Sequence, residues 1–379
     1  MRSLFNALSR GRRAPASAPA DPTELPREPH EWRERILDLG LTPERALHLA
    51  AALEREGRLL PAIEALTAAN RMRRDAAVER RLVRLRHAAF AQLDRSLPPP
   101  PWPPLVPDDP PGTPPGPLIV TPAELDAGVM RRGLLRHGCI LVRGLVPPAR
   151  ARRLRTAVER AFGACAAVMD GAPSSDTAPW YDPLENLPGG DELRFFGRAA
   201  QSVLAADSPR TLFEFLETVY ESGLDRLIAA YLGERPTLDI KKCVLRQVDW
   251  TCQHSIWHQD GAFLGHGIRT VNAWFALTDC GRDAPGMDLM PLRLDGLVTP
   301  GEPGAGFDWA VSADTIAREL PGVAPWRPEI GAGDVLLFDH FMLHRTAAAP
   351  GMRELRYAIE SWFFASSVYP TETSAPLVV

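Results

Sequence analysis

Residues 333–346 have the sequence GDVLLFDHFMLHRT. After a Gly-Asp pair, the apolar run VLLF is typical of a short buried strand. The chain then becomes polar and presents Asp339, His340 and His344 shortly after the strand ends. A buried strand that leads into histidines and a carboxylate predicts a β-rich core with chemically active groups at one end.

The stretches around it follow the same pattern. After residue 237, short β-rich runs are separated by turn sequences such as GRDAPG and GAG; the runs are LDIKKCVLRQV, TVNAWFALTD and RYAIESWFF. Many short strands with glycine- and proline-containing turns predict a sandwich or a barrel. We therefore predict a mainly β core with helices packed outside it.

Helical patterns precede these strands. A capping box formed by Thr121 and Glu124 predicts a helix that runs to about Arg136. The run CILVRGLV over residues 139–146 predicts a strand, and apolar spacing over residues 147–167 predicts a further helix.

A second polar motif, WHQDGAF, spans residues 257–263. In an extended chain, residues i and i+2 point the same way, so His258 and Asp260 can reach one point. Two ligands make a poor metal site, and the third is predicted to be His344 from the other motif. Two histidines and one carboxylate form the facial triad of non-haem Fe(II) sites, which leaves three coordination positions open.

Spacing alone leaves other ligand sets open. His340 lies four residues before His344 and could replace it. His254 and His258 form an HxxxH pair, which is the spacing of zinc ligands on a helix. The glycine-flanked, β-rich surroundings and the lack of an HExxH glutamate argue against that helix.

Arg356 begins the last apolar strand, RYAIESWFF. Its planar guanidinium could bind a carboxylate from inside the core, and Thr346 could donate a hydroxyl to the same carboxylate. The alternative for Arg356 is an ordinary salt bridge at a strand end. Lys242 and Arg246 precede the HxD motif, where they could touch a cosubstrate or serve as edge-strand charges.

In their order along the chain, these pieces resemble one known family. From about Cys139 to Phe364, the sequence is similar to the phytanoyl-CoA dioxygenase family of Fe(II)/2-oxoglutarate oxygenases in GCILVRGLVPPA, WHQDGAFLG, VNAWFALTD, APGMDLMP, GDVLLFDHFMLHRT and RYAIESWFF. The HxD motif alone is unspecific, whereas the ordered set is specific. The resemblance implies a double-stranded β-helix, a cupin-like jelly roll, with helices bracing one face.

The resemblance also implies a metal centre and a reaction. It places the iron ligands at His258, Asp260 and His344, and it implies Fe(II), 2-oxoglutarate and O2 as cofactor and cosubstrates. The expected reaction is hydroxylation of a C–H bond of a small organic substrate, or a desaturation variant, with succinate and CO2 as co-products. Halogenating relatives carry a small residue where this chain has Asp260, so halogenation is not expected.

Further residues acquire roles from the same resemblance. Arg356 falls on the arginine that binds the distal carboxylate of 2-oxoglutarate, Thr346 on a hydroxyl residue that assists it, and Trp274 on an aromatic residue that lines the cosubstrate pocket. Residues 171–198 have the composition of a loop with four aromatic side chains, which predicts either a lid over the site or packing between helices and core.

The chain before the core is different in character. Residues 98–117 contain 12 prolines in 20 positions, which predicts a stiff, extended linker. Residues 29–97 predict an all-α segment, with Thr42 and Asp75 as helix caps, and part of it resembles one tetratricopeptide unit that would bind a protein partner.

The linker predicts a division of the chain. Residues 1–28 are expected to form a disordered arm, and residues 118–379 the oxygenase domain. Few core contacts are expected to cross the linker, so that the helical segment should be removable without loss of the core.

The overall composition limits the classes of function. A hydrophobic content of 45% and a charged content of 24% are those of a soluble protein with a substantial core. A net charge of −4 gives no reason to expect nucleic acid as a partner, and no apolar run is long enough for a membrane span. Five scattered cysteines without a CxxC pair predict reduced thiols and a cytoplasmic location.

Two rival functions compete with the oxygenase. In the first, the helical segment recruits a partner and the barrel is a non-catalytic scaffold. In the second, the barrel is a cupin-like isomerase that uses no cosubstrate. A complete triad together with Arg356 argues against both, since neither function needs all four residues.

Overall fold

The computed structural model describes residues 42–95, 99–252, 255–265 and 267–379. The predicted arm over residues 1–28, the beginning of the helical segment and His254 lie outside the described residues. Within them, the strands are β1 (Leu118–Val120), β2 (Cys139–Val142), β3 (Ser202–Leu204), β4 (Pro236–Val248), β5 (Thr270–Ala276), β6 (Gly286–Leu289), β7 (Val335–Phe338), β8 (His344–Ala347), β9 (Arg356–Ala365) and β10 (Pro376–Val378).

The strands form two sheets of unequal size. The large sheet has the order β1-β2-β7-β5-β9-β4-β10, with β3 also paired to β4, and the small sheet consists of β6 and β8. Only the β1–β2 pair is parallel among the strand pairs of the described residues. The predicted mainly β core with accompanying helices is therefore confirmed as a mixed, mostly antiparallel sheet.

The helices account for most of the remaining regular structure. They are α1 (Pro43–Arg55), α2 (Leu59–Met72), α3 (Ala76–Ala88), α4 (Ala127–Leu135), α5 (Pro148–Met169), α6 (Ser174–Thr177), α7 (Gly190–Ala199), α8 (Pro209–Glu221), α9 (Leu224–Leu232), α10 (Gly261–Leu264) and α11 (Ala313–Glu319). None of the helices in the described ranges is long and apolar enough to cross a bilayer.

The large sheet is apolar on both faces, because alternate side chains of a strand point to opposite sides. Ile359 and Phe363 of β9 pack with Leu154 of α5 and Phe215 of α8 in one core cluster. The other face of β9, through Trp362 and its neighbours, belongs to a second cluster that includes residues of the small sheet. Helices α5 and α8 thus brace one face of the sheet, and the other face belongs to a cluster that includes β6 of the small sheet and the N-terminal helices.

The helix predicted from the capping box begins later than expected. Glu124 accepts hydrogen bonds from the backbone N–H and the hydroxyl of Thr121 (both 2.7 Å), so the predicted contact forms. It closes only a turn, however, and α4 begins at Ala127 with Asp126 as its N-cap. A capping box is a local contact that one turn can satisfy without a helix behind it.

The strand predicted over residues 139–146 ends at Val142. Gly144 adopts a φ of +64°, a left-handed conformation that breaks the extended chain. The predicted caps Thr42 and Asp75 are confirmed, because both side chains accept hydrogen bonds from backbone N–H groups of their helices.

The helical segment packs on the core, and the expectation of few contacts across the linker is wrong. Ile63 and Leu66 belong to the same apolar cluster as Trp362 of β9. Glu79 of α3 is fully buried against Arg210 of α8 (2.5 Å). Proline content predicts a stiff linker but says nothing about whether the segments that it joins have complementary surfaces.

The linker itself also lies on the core. Trp102 packs edge-on against Tyr231 of α9, with 5.3 Å between the ring centroids. Arg269 donates a hydrogen bond to the carbonyl of Pro100 (3.3 Å) and lies over the Trp102 ring. All five cysteines are free and buried, in agreement with the expected absence of disulfides.

Candidate metal centre

Three predicted residues converge at one point. The candidate ligand atoms of His258, Asp260 and His344 all lie within 4.8 Å of one another. His344 is the first residue of β8, and its backbone N–H and carbonyl pair with those of His258 (3.0 Å each). Asp260 follows at the start of α10. His258 lies in an extended segment paired with β8, whereas Asp260 is the N-cap of α10 and has helical backbone angles (φ −63°, ψ −23°). The three side chains converge, but the extended backbone expected at Asp260 is wrong, because a helix begins at this residue.

Hydrogen bonds fix both imidazoles. Nδ1 of His258 lies 2.8 Å from the carbonyl of Ile256, and Nδ1 of His344 lies 2.9 Å from the carbonyl of Met342. Because a carbonyl oxygen only accepts, each Nδ1 carries a proton, and Nε2 is the nitrogen of each ring that is left for a metal ion. Burial, and secondarily the neighbouring His344, lower the pKa of His258 to about 4, so this ring is neutral at neutral pH.

Asp260 supplies a carboxylate oxygen that accepts no hydrogen bond from the described part of the chain. Its side chain is buried, and Oδ2 has no hydrogen bond within the described residues. That oxygen lies 3.5 Å from Nε2 of His344, while Lys242 approaches Oδ1 at 3.4 Å. A buried, unsatisfied carboxylate oxygen is costly unless a cation binds it, so this donor set fits a divalent metal ion.

Gln259 and Gly261 were not singled out from the sequence, yet they hold the HxD segment in place. Gln259 donates to the carbonyls of Gly296 (2.9 Å) and Phe341 (2.6 Å) and accepts from the N–H of Val298 (2.7 Å). A Cβ at Gly261 would lie 3.1 Å from the carbonyl oxygen of His340. Because alternate residues of an extended chain point in opposite directions, Gln259 is expected to point away from His258 and Asp260. This alternation is the sequence signal that could have identified Gln259 as a supporting residue.

The alternative ligand His340 does not join the cluster. Its Nδ1 lies 3.0 Å from the hydroxyl of Thr270, and the cluster of potential metal ligands in the described ranges contains His344 instead. Asp339 is also committed elsewhere, since it forms an ion pair with Arg293. The structure therefore favours the triad with His344.

Arg356 is buried inside the core, and no carboxylate among the described residues pairs with it. Nη1 donates to the carbonyl of Gly286 (2.9 Å), and Nε has no hydrogen-bond partner in the described part of the chain. Burial, and then repulsion by Arg246, lower the pKa of Arg356 to about 10, which still leaves it charged at neutral pH. A buried cation with an unused donor fits a carboxylate ligand.

The other two predicted cosubstrate residues lie beside Arg356. Its guanidinium lies 5.5 Å from the ring centroid of Trp274. Thr346 is two residues from His344 on β8 and pairs with Met287, the residue after Gly286. The structure thus brings Trp274, Arg356 and the β6–β8 sheet together, although no hydrogen bond within the described residues joins Thr346 to Arg356.

Lys242 and Arg246 are not edge-strand charges, because β4 lies between β9 and β10. Arg246 is paired with Glu360 of β9 (2.8 Å), a residue that sequence reasoning missed. Burial would raise the pKa of Glu360, but the charges of Arg246 and Lys242 outweigh it and lower that pKa to about 2. Arg246 is thus neutralised within the protein, whereas Lys242 touches the candidate metal centre.

The aromatic residues of segment 171–198 divide between packing and solvent. Tyr181 is buried in the helix-facing core, whereas Phe195 and Phe196 of α7 are exposed. The segment forms α6 and α7 rather than a continuous loop. Tyr181 therefore fits the packing interpretation, and α7 presents its two phenylalanines outward.

Comparison with known proteins gives one decisive result. The sequence model described as phytanoyl-CoA dioxygenase (PhyH) matches residues 134–354, which is more than half of the chain. The chain belongs to the phytanoyl-CoA dioxygenase family. This confirms the family predicted from the motifs and, together with the geometry of the site, Fe(II), 2-oxoglutarate and O2 as its cofactor and cosubstrates.

Several solved structures are similar to this phytanoyl-CoA dioxygenase family member at low identity. The non-haem α-ketoglutarate dependent carbocyclase SnoK from nogalamycin biosynthesis shares 16% identity, over 66% of this chain and 87% of that chain, with a TM-score of 0.40. AviO1 from Streptomyces viridochromogenes Tue57 shares 17% (64% and 96%, TM-score 0.39), and EctD from S. alaskensis 14% (61% and 73%, TM-score 0.40). Among curated proteins, none matches the chain.

Proposed function

We propose that this protein is an Fe(II)- and 2-oxoglutarate-dependent dioxygenase that hydroxylates a C–H bond of a small organic substrate. The observation that carries the proposal is the buried triad, in which one carboxylate oxygen of Asp260 has no hydrogen bond within the described residues and lies beside two oriented imidazoles. With 2-oxoglutarate and O2, iron bound there supplies the oxidation of the substrate, coupled to the conversion of 2-oxoglutarate into succinate and CO2.

His258, Asp260 and His344 are the proposed iron ligands. Both histidines present Nε2 because Nδ1 is tied to a backbone carbonyl, and a neutral imidazole is the form that binds metal. Lys242, next to Oδ1, holds one oxygen of Asp260 and leaves Oδ2 for the metal. Three protein ligands leave three positions for other molecules.

Arg356, Thr346 and Trp274 are the proposed contacts of 2-oxoglutarate. Arg356 would bind the carboxylate that is remote from the metal, since its buried charge lacks an acidic partner within the described ranges. Trp274, whose ring centroid lies 5.5 Å from the guanidinium, would line the cosubstrate site, and Thr346 on the neighbouring β8 would add a hydroxyl. The distance between Arg356 and the triad then sets the length of diacid that fits.

Hydroxylation is favoured over halogenation by Asp260. A carboxylate at this position occupies metal coordination and adds negative charge, both of which disfavour a bound halide. We also infer that the core is a double-stranded β-helix, that residues 118–379 form the oxygenase domain, and that the protein is cytoplasmic, in keeping with five free thiols.

The rival functions have less support. A scaffold has no use for a buried arginine that lacks an acidic partner within the described residues, because uncompensated buried charge is costly. An isomerase without a cosubstrate would need the triad but not Arg356. The helical segment packs on the core, and a protein partner for it is a separate proposal.

The test is anaerobic reconstitution with Fe(II) and 2-oxoglutarate, followed by visible absorption. A chelate of both on the protein should give a weak charge-transfer band that requires all three components. Omission of 2-oxoglutarate, or its replacement by succinate, should remove the band. Iron binding without any band in the complete mixture would contradict the proposal.

A further inference from the structure

A short loop extends from the metal centre toward solvent. Gly301 donates its N–H to the carbonyl of Ala310 (2.9 Å), which closes the base of the loop. Ala310 also forms a β-bridge with His258, and Val311 donates to the carbonyl of Trp257 (2.8 Å). Gly301 has a φ of +74°, and a Cβ there would lie 2.9 Å from the carbonyl oxygen of Asp308. The loop is therefore anchored directly to the proposed iron ligand.

Two aromatic rings contact His258 on this side, and a third packs on one of them. Trp309 meets the imidazole edge-on (5.6 Å, 78°), and Phe263 of α10 lies at 6.3 Å and is nearly parallel to it. Phe307 stacks on Trp309 (5.0 Å, 13°), and Phe263 meets Trp309 edge-on at 6.0 Å. The rings Phe263, Phe307 and Trp309, here called the aromatic wall, thus form one contiguous surface that begins at His258.

The aromatic wall is open to solvent. Phe307 is 50% exposed and Phe263 is 37% exposed. One face of the Phe263 ring is covered by Lys242, whose ammonium lies 3.9 Å from the ring centroid. The remaining exposed ring surface contributes little to the core, and contiguous apolar surface beside a site is typical of ligand binding.

We propose that the aromatic wall is the substrate-binding surface of this enzyme and that it takes a substrate with a flat, unsaturated ring system. The proposal rests on the proposed function, because the wall is placed by its contact with His258. Aromatic side chains favour stacked or edge-on contact with another ring, and such contacts add to simple apolar burial. A ring lying on the wall also brings its edge close to the metal centre.

A rigid ring suits this surface better than a flexible chain or a puckered one. It loses little conformational freedom when it binds, whereas a flexible substrate loses several rotatable bonds. A puckered ring can contact a planar side chain only through its protruding hydrogens, so that its stacking area is smaller. Planarity is therefore the property by which the aromatic wall would select its substrate.

The test compares 2-naphthol with decahydro-2-naphthol, which share a carbon skeleton and a hydroxyl but differ in planarity. Their binding to the full-length protein, with Fe(II) and 2-oxoglutarate and without O2, is measured by equilibrium dialysis. We expect 2-naphthol to bind at least about fivefold more tightly. Phe307→Ala and Trp309→Ala should each weaken its binding about tenfold or more.

The control is the double variant Phe195→Ala/Phe196→Ala, which removes the exposed, touching ring pair of α7 and should leave binding unchanged. Equal binding of the two probes, or unchanged 2-naphthol binding in both wall variants, would overturn the proposal. Phe307 is exposed on a loop, so its variant should fold; melting curves check this. The charge-transfer band is recorded in every sample. Its absence from the native protein counts against the proposed function. If the band is present but 2-naphthol binding is not affected by the wall variants, only the inference about the aromatic wall is contradicted.

Discussion

At the scale of single residues, the choice between His344 and His340 as the third ligand is the assignment that mutation can test most directly. His344 and His340 are four residues apart, yet only His344 has Nε2 within reach of Asp260 (3.5 Å). His340 bonds instead to Thr270 (3.0 Å). The two histidines therefore form a matched pair for mutation.

His344→Ala should lower Fe(II) affinity by more than about 100-fold, because it removes a ligand rather than an outer hydrogen bond. His340→Ala should lower it by no more than about tenfold, the lower end of the effect of outer contacts. Anaerobic equilibrium dialysis with Fe(II) measures both. Equal losses in the two variants, or a greater loss in His340→Ala, would move the third ligand to His340.

Arg356 offers a second test at this scale. Arg356→Ala removes charge-assisted hydrogen bonds worth about 1.5–3 kcal/mol, so 2-oxoglutarate affinity should fall about 10- to 100-fold with Fe(II) affinity unchanged. The exposed neighbour Arg353 serves as the control, and Arg353→Ala should bind 2-oxoglutarate normally. Titration of the charge-transfer band reports both affinities. An unaltered 2-oxoglutarate titration in Arg356→Ala would remove this arginine from the cosubstrate site.

Residue types and spacing identified His258, Asp260 and His344 as one candidate ligand set with His340 left open, and the resemblance of the ordered motifs implied the roles of Arg356 and Trp274. Glu360 was not predictable in the same way. Its pairing with Arg246 depends on the register of β4 against β9, in which Arg246 lies opposite Ala358, two residues from Glu360. Register is a long-range property that the local sequence does not contain.

At the scale of elements, the small sheet holds His344 and Thr346 in place. Asp288 of β6 accepts hydrogen bonds from Arg345 of β8 (2.9 Å) and from Arg327 (2.7 and 3.0 Å). Burial would raise the pKa of Asp288, but the two guanidinium groups outweigh burial and lower it below its usual 3.8. The carboxylate therefore clamps β6 to β8 over the neutral pH range.

Asp288→Asn should lower the free energy of unfolding at pH 7 by about 1.5–3 kcal/mol, since charged hydrogen bonds are lost. A carboxyl whose pKa is lower in the folded state stabilises above its unfolded pKa and loses this effect as pH falls through the folded value. The difference between native and variant protein should thus shrink below about pH 4. Chemical denaturation at several pH values measures it, with the exposed Asp295→Asn as control. A difference that is absent at pH 7, or constant with pH, would contradict the clamp.

Helices and strands were predicted best where a single local sequence feature determines them. The apolar run of β7 and the caps Thr42 and Asp75 are such signals. The start of α4 was missed because the contacts of Thr121 and Glu124 fit a turn as well as a helix. Helix propensity does not distinguish a turn from the first turn of a helix, whereas the packing of the residues that follow does.

At the scale of the whole molecule, the helical segment and the oxygenase core share an interface. The buried pair of Glu79 and Arg210 and the pair of Arg71 and Glu217 (2.5 Å) join them, together with an apolar cluster. The sequence could not predict this, because α1 to α3 are amphipathic in a way that suits a partner protein as well as an intramolecular surface.

Removal of residues 1–98 should therefore destabilise the core instead of leaving it intact. The truncated chain would expose apolar side chains that now pack against α2 and α3, and we expect a melting temperature at least about 5 °C lower, equivalent to roughly 2–3 kcal/mol. Thermal unfolding and the soluble fraction of both forms measure this. A truncated chain that matches the full-length protein in both would show that the interface contributes little.

The central claim is that the triad supports oxidation coupled to 2-oxoglutarate. The most direct measurement is the formation of succinate from 2-oxoglutarate under air, with Fe(II), by native protein and by His344→Ala. We predict that native protein forms one succinate and one CO2 for each 2-oxoglutarate consumed, with no turnover when O2 or iron is omitted, and that His344→Ala forms none above background. Native protein that binds iron and 2-oxoglutarate but forms no succinate, or a variant as active as the native protein, would contradict the claim.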